Sequence, residues 1–260
     1  MKLSEDYGIL FDVAYLTDKG RVRANNEDCL WVMDKQERRN FERVNFGIYL
    51  VADGMGGHQA GEVASKLAID IVSSNLLKYV EEELFSRSPS ESITHAVNGA
   101  NREIYTLAAN DKEFYSMGTT ITLGLRMDDE LYLGHVGDSR AYLLRGGRIK
   151  QLTHDHSLVA SLVKEGAITA AEAKCHPQRA KVLRSLGVAC EVPVDITTLT
   201  LLKGDKVVLC SDGLTGSLTD NEINQCVLNS DRASQACTGL VNLANAMGGS
   251  DNISVIVISC

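Results

Sequence analysis

Only three prolines, one tryptophan and 5% aromatic residues occur among the 260 residues of this chain. The core must therefore be built mainly from Leu, Ile, Val and Ala, and no proline-rich linker or low-complexity tract divides the sequence. No Cys-x-x-Cys pair exists: Cys29, Cys175, Cys190, Cys210, Cys226, Cys237 and Cys260 are scattered. An odd number without metal-binding spacing reads as reduced thiols, with neither a disulfide framework nor a structural zinc. The N-terminal stretch carries Glu5, Asp6 and Asp12 and lacks the apolar core of a signal peptide. No uninterrupted apolar run approaches the roughly 18 residues of a membrane span. A cytoplasmic protein with no membrane association is expected. Positive charge is short as well: 26 Lys and Arg stand against 34 Asp and Glu, a net charge of -8. That balance argues against a nucleic-acid binder, because phosphate backbones are gripped by basic surfaces. An acidic chain that handles phosphate needs bound cations or a local arginine.

What is present is a 44% hydrophobic composition, enough to bury a sizeable core. Strand-like runs come first: ILFDVAYLT, LWVM and FGIYLVAD, with the charged stretch from Asp34 to Asn45 reading as a hairpin loop. From Gly61 to about Phe85, apolar residues recur at helical spacing, with Ala64, Ala68, Val72 and Leu76 along one edge. Ser88-Pro89-Ser90-Glu91 reads as a capped start for a second helix running to about Ala109. Strands resume with MGTTITLGLRM, ELYLGHVG and RAYLLRGG, the last two joined at Asp138-Ser139 as if by a tight turn. Beyond Thr153 the pattern weakens, with SLVASLVKEGAIT and AKVLRSLG as short helical stretches in an irregular excursion. VDITTLTL and KVVLCSD are strands, two helices follow from the capping box Thr219-x-x-Glu222, and NISVIVIS closes as an interior strand. Without regular strand–helix alternation, the class is α+β, with largely antiparallel sheets and helices outside them.

Three aspartates share a context. Asp53 and Asp212 each end an apolar strand and precede a glycine, and Asp251 stands just before one. A carboxylate at a strand terminus sits on a rigid support at the sheet rim, and a following glycine lets the backbone turn sharply and brings its carbonyl close to whatever the carboxylate holds. Oxygen-only ligands of this kind suit magnesium or manganese. One Asp-Gly pair alone would be an ordinary turn. Arg23, five residues before Asp28, could grip a phosphate in bidentate fashion or be a plain surface arginine. GMGGHQAG has the glycines of a phosphate-binding loop but not the closing Lys-Ser/Thr, and no cysteine is followed by the C-x5-R of a cysteine-dependent phosphatase.

The segments GRVRANNED, VADGMGGHQAGEVAS, MGTTITL, GHVGDSRAYLLR, LTHDHSLV, SDGL and SDNISV occur in the order found in protein phosphatase 2C enzymes. From Val13 to its end the chain resembles the bacterial-type catalytic domain of these metal-dependent serine/threonine phosphatases. The resemblance implies a four-layer αββα sandwich: two antiparallel sheets flanked by helix pairs. It implies a single catalytic domain over 11–260, with an extension at 1–10 and a flap insert at about 157–191 that His154 and His156 lead into. It implies two Mn²⁺ or Mg²⁺ ions and a third, weaker site. Asp53 would bridge the pair, the Gly54 carbonyl would join one ion, and Asp212 with Asp251 would bind the other. Asp28, with Glu27 as a further candidate, would act through bound waters, and Asp138 would share the third site with Asp212. Arg23 would orient the phosphoryl group, and His58, or else a metal-bound water, would protonate the leaving alkoxide, the reaction being direct attack of a metal-activated water on phosphoserine or phosphothreonine. Phosphorylated proteins made by serine/threonine kinases are the implied partners, and a monomer is expected. A silent phosphoprotein binder and a small-molecule phosphatase are the competing readings.

Overall fold

A computed structural model describes residues 11–39, 42–56, 60–83 and 87–260. In chain order the elements are β1 (Asp12–Asp18), β2 (Asp28–Arg39), β3 (Glu42–Met55), α1 (Ala60–Lys78), α2 (Pro89–Asn110), β4 (Gly118–Thr119), β5 (Ile121–Met127), β6 (Glu130–Val136), β7 (Arg140–Arg145) and β8 (Arg148–Gln151). They continue with α3 (Leu158–Lys164), α4 (Ala170–Cys175), β9 (Asp195–Thr200), β10 (Lys206–Cys210), α5 (Asp212–Thr215), α6 (Asp220–Leu228), α7 (Ala233–Ala246) and β11 (Ile253–Ser259). One sheet has the order β1-β11-β10-β7-β8 and the other β2-β3-β5-β6-β9, with β4 added beside β3; every pairing is antiparallel.

The period-2 alternation of strand side chains sorts the core into three layers. On β3, Phe46, Ile48, Leu50 and Ala52 join the α1 and α2 residues in one buried cluster, while Tyr49 and Val51 point the other way. On β10 and β11, Val208, Cys210, Val255 and Val257 pack with α6 and α7. Val207, Leu209, Ile256 and Ile258 meet Tyr49, Val51, Leu131 and Leu133 between the sheets. Helix pair, sheet, sheet, helix pair: this is the αββα sandwich expected. Ser88 caps α2 and Thr219 caps α6 through reciprocal boxes with Glu91 and Glu222, devices that each contribute about 1 kcal/mol.

Four local expectations change. The charged stretch 34–45 is mostly strand, because β2 and β3 pair in register as far as Arg39↔Glu42. The first helix gives way to a π-helical turn, Tyr79–Glu83, before Phe85, which lies outside the described residues. Residues 137–139 are no hairpin turn, since β6 and β7 belong to different sheets and the chain crosses the sandwich there. The stretch AKVLRSLG is irregular instead of helical. Its backbone groups are taken by other elements: Leu186 exchanges hydrogen bonds with Thr119, and Asn101 accepts from Gly187 N–H at 2.9 Å. The stretch 1–10 lies outside the described residues. Among the described residues no helix is long and apolar enough to cross a membrane.

Candidate metal centre

The alternation that builds the core also aims the carboxylates. Asp53 follows Tyr49 and Val51 on the face of β3 that looks into the space between the sheets. Asp28 precedes Leu30 and Val32 on the same face of β2, and the ladder sets Asp28 directly opposite Asp53. Across the gap, Ser211 follows Val207 and Leu209, and its hydroxyl donates to Asp28 Oδ2 at 2.7 Å, joining the two sheets at their rim. The next residue, Asp212, opens α5, and the crossover at 137–139 brings in Asp138. Asp251 enters from the loop before β11.

Backbone position is fixed at each of these points. The carbonyl of Asp53 accepts from Thr120 N–H and Thr119 Oγ1, both at 2.9 Å, and its N–H donates to Thr120 Oγ1 at 3.0 Å. Thr120 Oγ1 in turn shares a hydrogen bond with Ser139 Oγ at 2.8 Å, beside Asp138. Asn252 binds the loop carrying Arg23 and Glu27: its Oδ1 accepts from Glu27 N–H at 2.8 Å, and its Nδ2 donates to the carbonyls of Asn25 and Lys19. Gly54 and Gly213 serve close approach, not sharp turning. A Cβ on Gly54 would stand 2.1 Å from the Gly61 carbonyl oxygen, and one on Gly213 1.9 Å from that of Asn252. Neither separation is physically possible without moving backbone.

The electrostatics are those of negative charges with too few partners. Burial, then the charges of Asp28, Asp212 and Asp138 and a hydrogen bond shared with Asp212, push the Asp53 carboxyl well above the usual range. Burial raises Asp28 to about 7, against the opposing effect of hydrogen bonds from Ser211 and Ser254, with Asp212 and Asp251 adding to the rise. Asp138 also rises to about 7, from burial first and then Asp212. Asp212 and Glu27 are raised mainly by burial. At the rim the half-exposed Arg23 donates Nη2–H to Asp251 Oδ2 at 2.7 Å, and the charge of Arg140, itself bonded to Asp155, opposes the rise at Asp138 and Asp212. Asp28 Oδ1 is buried and has no hydrogen-bond partner. A buried carboxylate oxygen without a donor costs on the order of 1–3 kcal/mol or more, and a hard divalent cation is the group that would satisfy it. The all-oxygen donor set therefore fits Mg²⁺ or Mn²⁺. Among the described residues no group of three or more His, Cys, Asp and Glu is already drawn into a coordination shell, as mutually repelling carboxylates would have it.

Of the residues singled out from sequence, Arg23, Glu27, Asp28, Asp53, Gly54, Asp138, Asp212 and Asp251 converge here; His58 lies outside the described residues. Sequence reasoning missed Ser211, Asn252, Thr120 and Ser139. The only available signal was adjacency, since Ser211 and Asn252 flank two of the strand-end aspartates.

The chain is similar to known proteins along nearly its whole length. The family model for protein phosphatase 2C matches residues 35–250. A serine/threonine phosphatase of Listeria monocytogenes is 34% identical over 94% of this chain and 94% of its own length. The solved structure of the S. agalactiae serine/threonine phosphatase superposes with a TM-score of 0.84 at 34% identity, covering 96% of this chain and 99% of that one. The catalytic domain of the phosphatase PstP, solved with two manganese ions, matches with a TM-score of 0.80 at 33% identity, covering 96% and 97% of the two chains.

Proposed function

This chain belongs to the protein phosphatase 2C family and is a metal-dependent serine/threonine protein phosphatase; from that premise we propose which of its residues hold the cations and which handle the phosphoryl group. Asp53, with the Gly54 carbonyl, Asp212, Asp251 and Asp28 hold two Mn²⁺ or Mg²⁺ ions, and Asp138 with Asp212 holds a third, weaker one. The observation that carries this reading is the unpartnered, buried Asp28 Oδ1 in a cluster whose other carboxyls are raised by one another. When bound, the cations supply Lewis acidity, making water nucleophilic near neutral pH and offsetting phosphoryl charge.

The protein's own groups position and transfer. Ser211 orients Asp28, and the Thr119–Thr120 pair locks the Asp53 peptide. Arg23 donates to Asp251 at the rim of the cluster, where its planar fork would bind two phosphoryl oxygens. A new O–P bond from water replaces the P–O bond to serine or threonine, and His58 gives the departing alkoxide its proton. The segment 157–191 is the flap beside this centre. Phosphorylated proteins are its substrates; that they are products of serine/threonine kinases, and that the chain works as a cytoplasmic monomer, belongs to the same proposal.

The test is hydrolysis of a phosphothreonine peptide by metal-stripped protein with and without Mn²⁺, beside Asp212→Asn. Turnover that appears with Mn²⁺ in the wild type and collapses in the variant supports the assignment. Equal turnover in both would remove Asp212 from the site. For His58→Gln, phosphothreonine turnover should fall while hydrolysis of p-nitrophenyl phosphate, whose leaving group needs no proton, changes little; parallel losses would deny His58 the acid role.

A further inference from the structure

The turn that carries Asp138 is held on its far side by Thr120 and Thr122, which bond Ser139, and on its near side by His156. Gly137, at the crossover between the sheets, has a φ of +120°. A Cβ there would stand 2.5 Å from Thr120 Cβ, so its backbone is both unusual and tightly packed. His156 holds Gly137 through both of the peptide units that flank it. Its backbone N–H donates to the Gly137 carbonyl at 2.7 Å, and its ring Nδ1 accepts from Gly137 N–H at 3.0 Å.

An acceptor at Nδ1 fixes the tautomer, leaving the proton on Nε2. Nε2–H points at Asp195 Oδ2, 3.2 Å away, and Asp195 Oδ1 accepts from Arg184 Nη1 at 2.7 Å. The ring is buried and lies 4.9 Å from that of His135, which faces Asp195 across the β6–β9 ladder. The His156 carbonyl accepts from Leu183 N–H at 2.7 Å. A continuous chain therefore runs from Arg184 and Leu183, at the end of segment 157–191, through Asp195 and His156 to the peptide preceding Asp138.

We propose that His156 is a positioning residue, whose Nδ1 fixes the Gly137 peptide and thereby the placement of Asp138, and whose Nε2 ties that turn to the flap through Asp195 and Arg184. The inference rests on the reading of Asp138 as a cation ligand. Groups standing behind metal ligands change cation affinity or activity by roughly 10–100-fold when removed.

Two substitutions divide the histidine's functions. In His156→Asn the amide oxygen can take the place of Nδ1 and keep the bond from Gly137, while the reach to Asp195 is lost. In His156→Gln the terminal amide can reach Asp195, but the acceptor facing Gly137 is lost. Calorimetric titration of Mn²⁺ into metal-stripped protein should show His156→Gln weakening the weakest cation site by roughly tenfold or more, with His156→Asn losing distinctly less. KM and kcat measured against Mn²⁺ concentration should follow the same order. Equal losses in the two variants, or the reverse order, overturn the proposal. Asp138→Asn is the reference: if it leaves every cation site intact, the reading of Asp138 fails. If it removes the weakest site while the histidine variants do not differ from each other, only the present inference fails. The ¹⁵N shifts of histidine-labelled wild-type protein give a test independent of variant folding. A neutral ring protonated at Nε2 is expected for His156, and a proton on Nδ1 contradicts the clasp.

Discussion

Two clusters of charge lie within this sandwich, and they are resolved in opposite ways. Around Arg126, only 1% exposed, every need is met from within the chain. Its guanidinium donates to both oxygens of Asp34 at 3.0 and 3.1 Å, to Tyr49 Oη at 3.2 Å and to the Asp128 carbonyl at 2.8 Å, and it lies 3.9 Å over the ring of Phe11. Tyr49 also donates to Asp34. Between the sheet rims, by contrast, burial and then neighbouring carboxylates raise the pKa values of Asp28, Asp53, Asp138 and Asp212, and Arg23 at the rim gives its hydrogen bond to Asp251. A charge cluster that closes on itself is architecture. One that is left short of positive charge is a receptor for it, and the fold tolerates the strain because function requires it.

The sharpest way to separate the two is to neutralise one member of each. Asp212→Asn should lower kcat/KM by roughly a thousandfold, the several kcal/mol that Lewis-acid stabilisation supplies. The same change should leave the metal-stripped protein as stable as the wild type or more so in thermal melts, because a repelling charge is gone. Arg126→Met should do the reverse, costing about 2–3 kcal/mol of stability by removing the charged hydrogen bonds to Asp34, Tyr49 and the Asp128 carbonyl, with kcat unchanged in the folded fraction. If Asp212→Asn destabilises the metal-free fold as much as Arg126→Met does, the contrast between the clusters is lost.

Tyr49→Phe probes the closed cluster more gently. The phenol both donates to Asp34 and accepts from Arg126, so its removal should cost about 1–2 kcal/mol in denaturant unfolding, with no change in Mn²⁺ dependence.

A graded effect is expected from pH. Asp28 and Asp138 sit at about 7 in the folded, metal-free protein, against roughly 3.9 for an unfolded aspartate. Between those values the folded state holds more protons than the unfolded chain, so stability falls as pH rises through that window. Melting curves of metal-stripped protein should therefore move to lower temperature from pH 5 to pH 7.5, each of the two carboxyls contributing about 2–3 kcal/mol to the decline. Saturating Mn²⁺ should flatten the slope. A melting temperature that rises with pH in the metal-free protein contradicts the sign.

How legible this was in the sequence differs between parts of the molecule. The strand-end aspartates could be read because their support is local: an apolar run that must be a buried strand, then a carboxylate. The capping boxes at Ser88 and Thr219 were legible for the same reason. The crossover at Gly137 was not, because a short polar joint between two apolar strands looks the same whether the strands pair with each other or lie in different sheets. The segment around Leu183–Gly187 was misread as helix because its carbonyl and amide partners, Thr119 and Asn101, lie more than sixty residues away. Ser211 and Asn252 were invisible as site residues, since nothing in their own spacing says that they will face Asp28 and Glu27 across the sandwich.

The central claim, that the aspartate cluster is short of positive charge and takes divalent cations to make up the deficit, is tested most directly by calorimetric titration of Mn²⁺ into metal-stripped protein. Wild type should be compared with Asp53→Asn, each also melted with and without the ion. The account expects the wild type to bind two ions tightly and to gain stability as it does so. Asp53→Asn should lose the tight binding while melting no earlier than wild type in the metal-free state. Undiminished Mn²⁺ binding by Asp53→Asn, or a metal-free variant that melts well below the wild type, would contradict it.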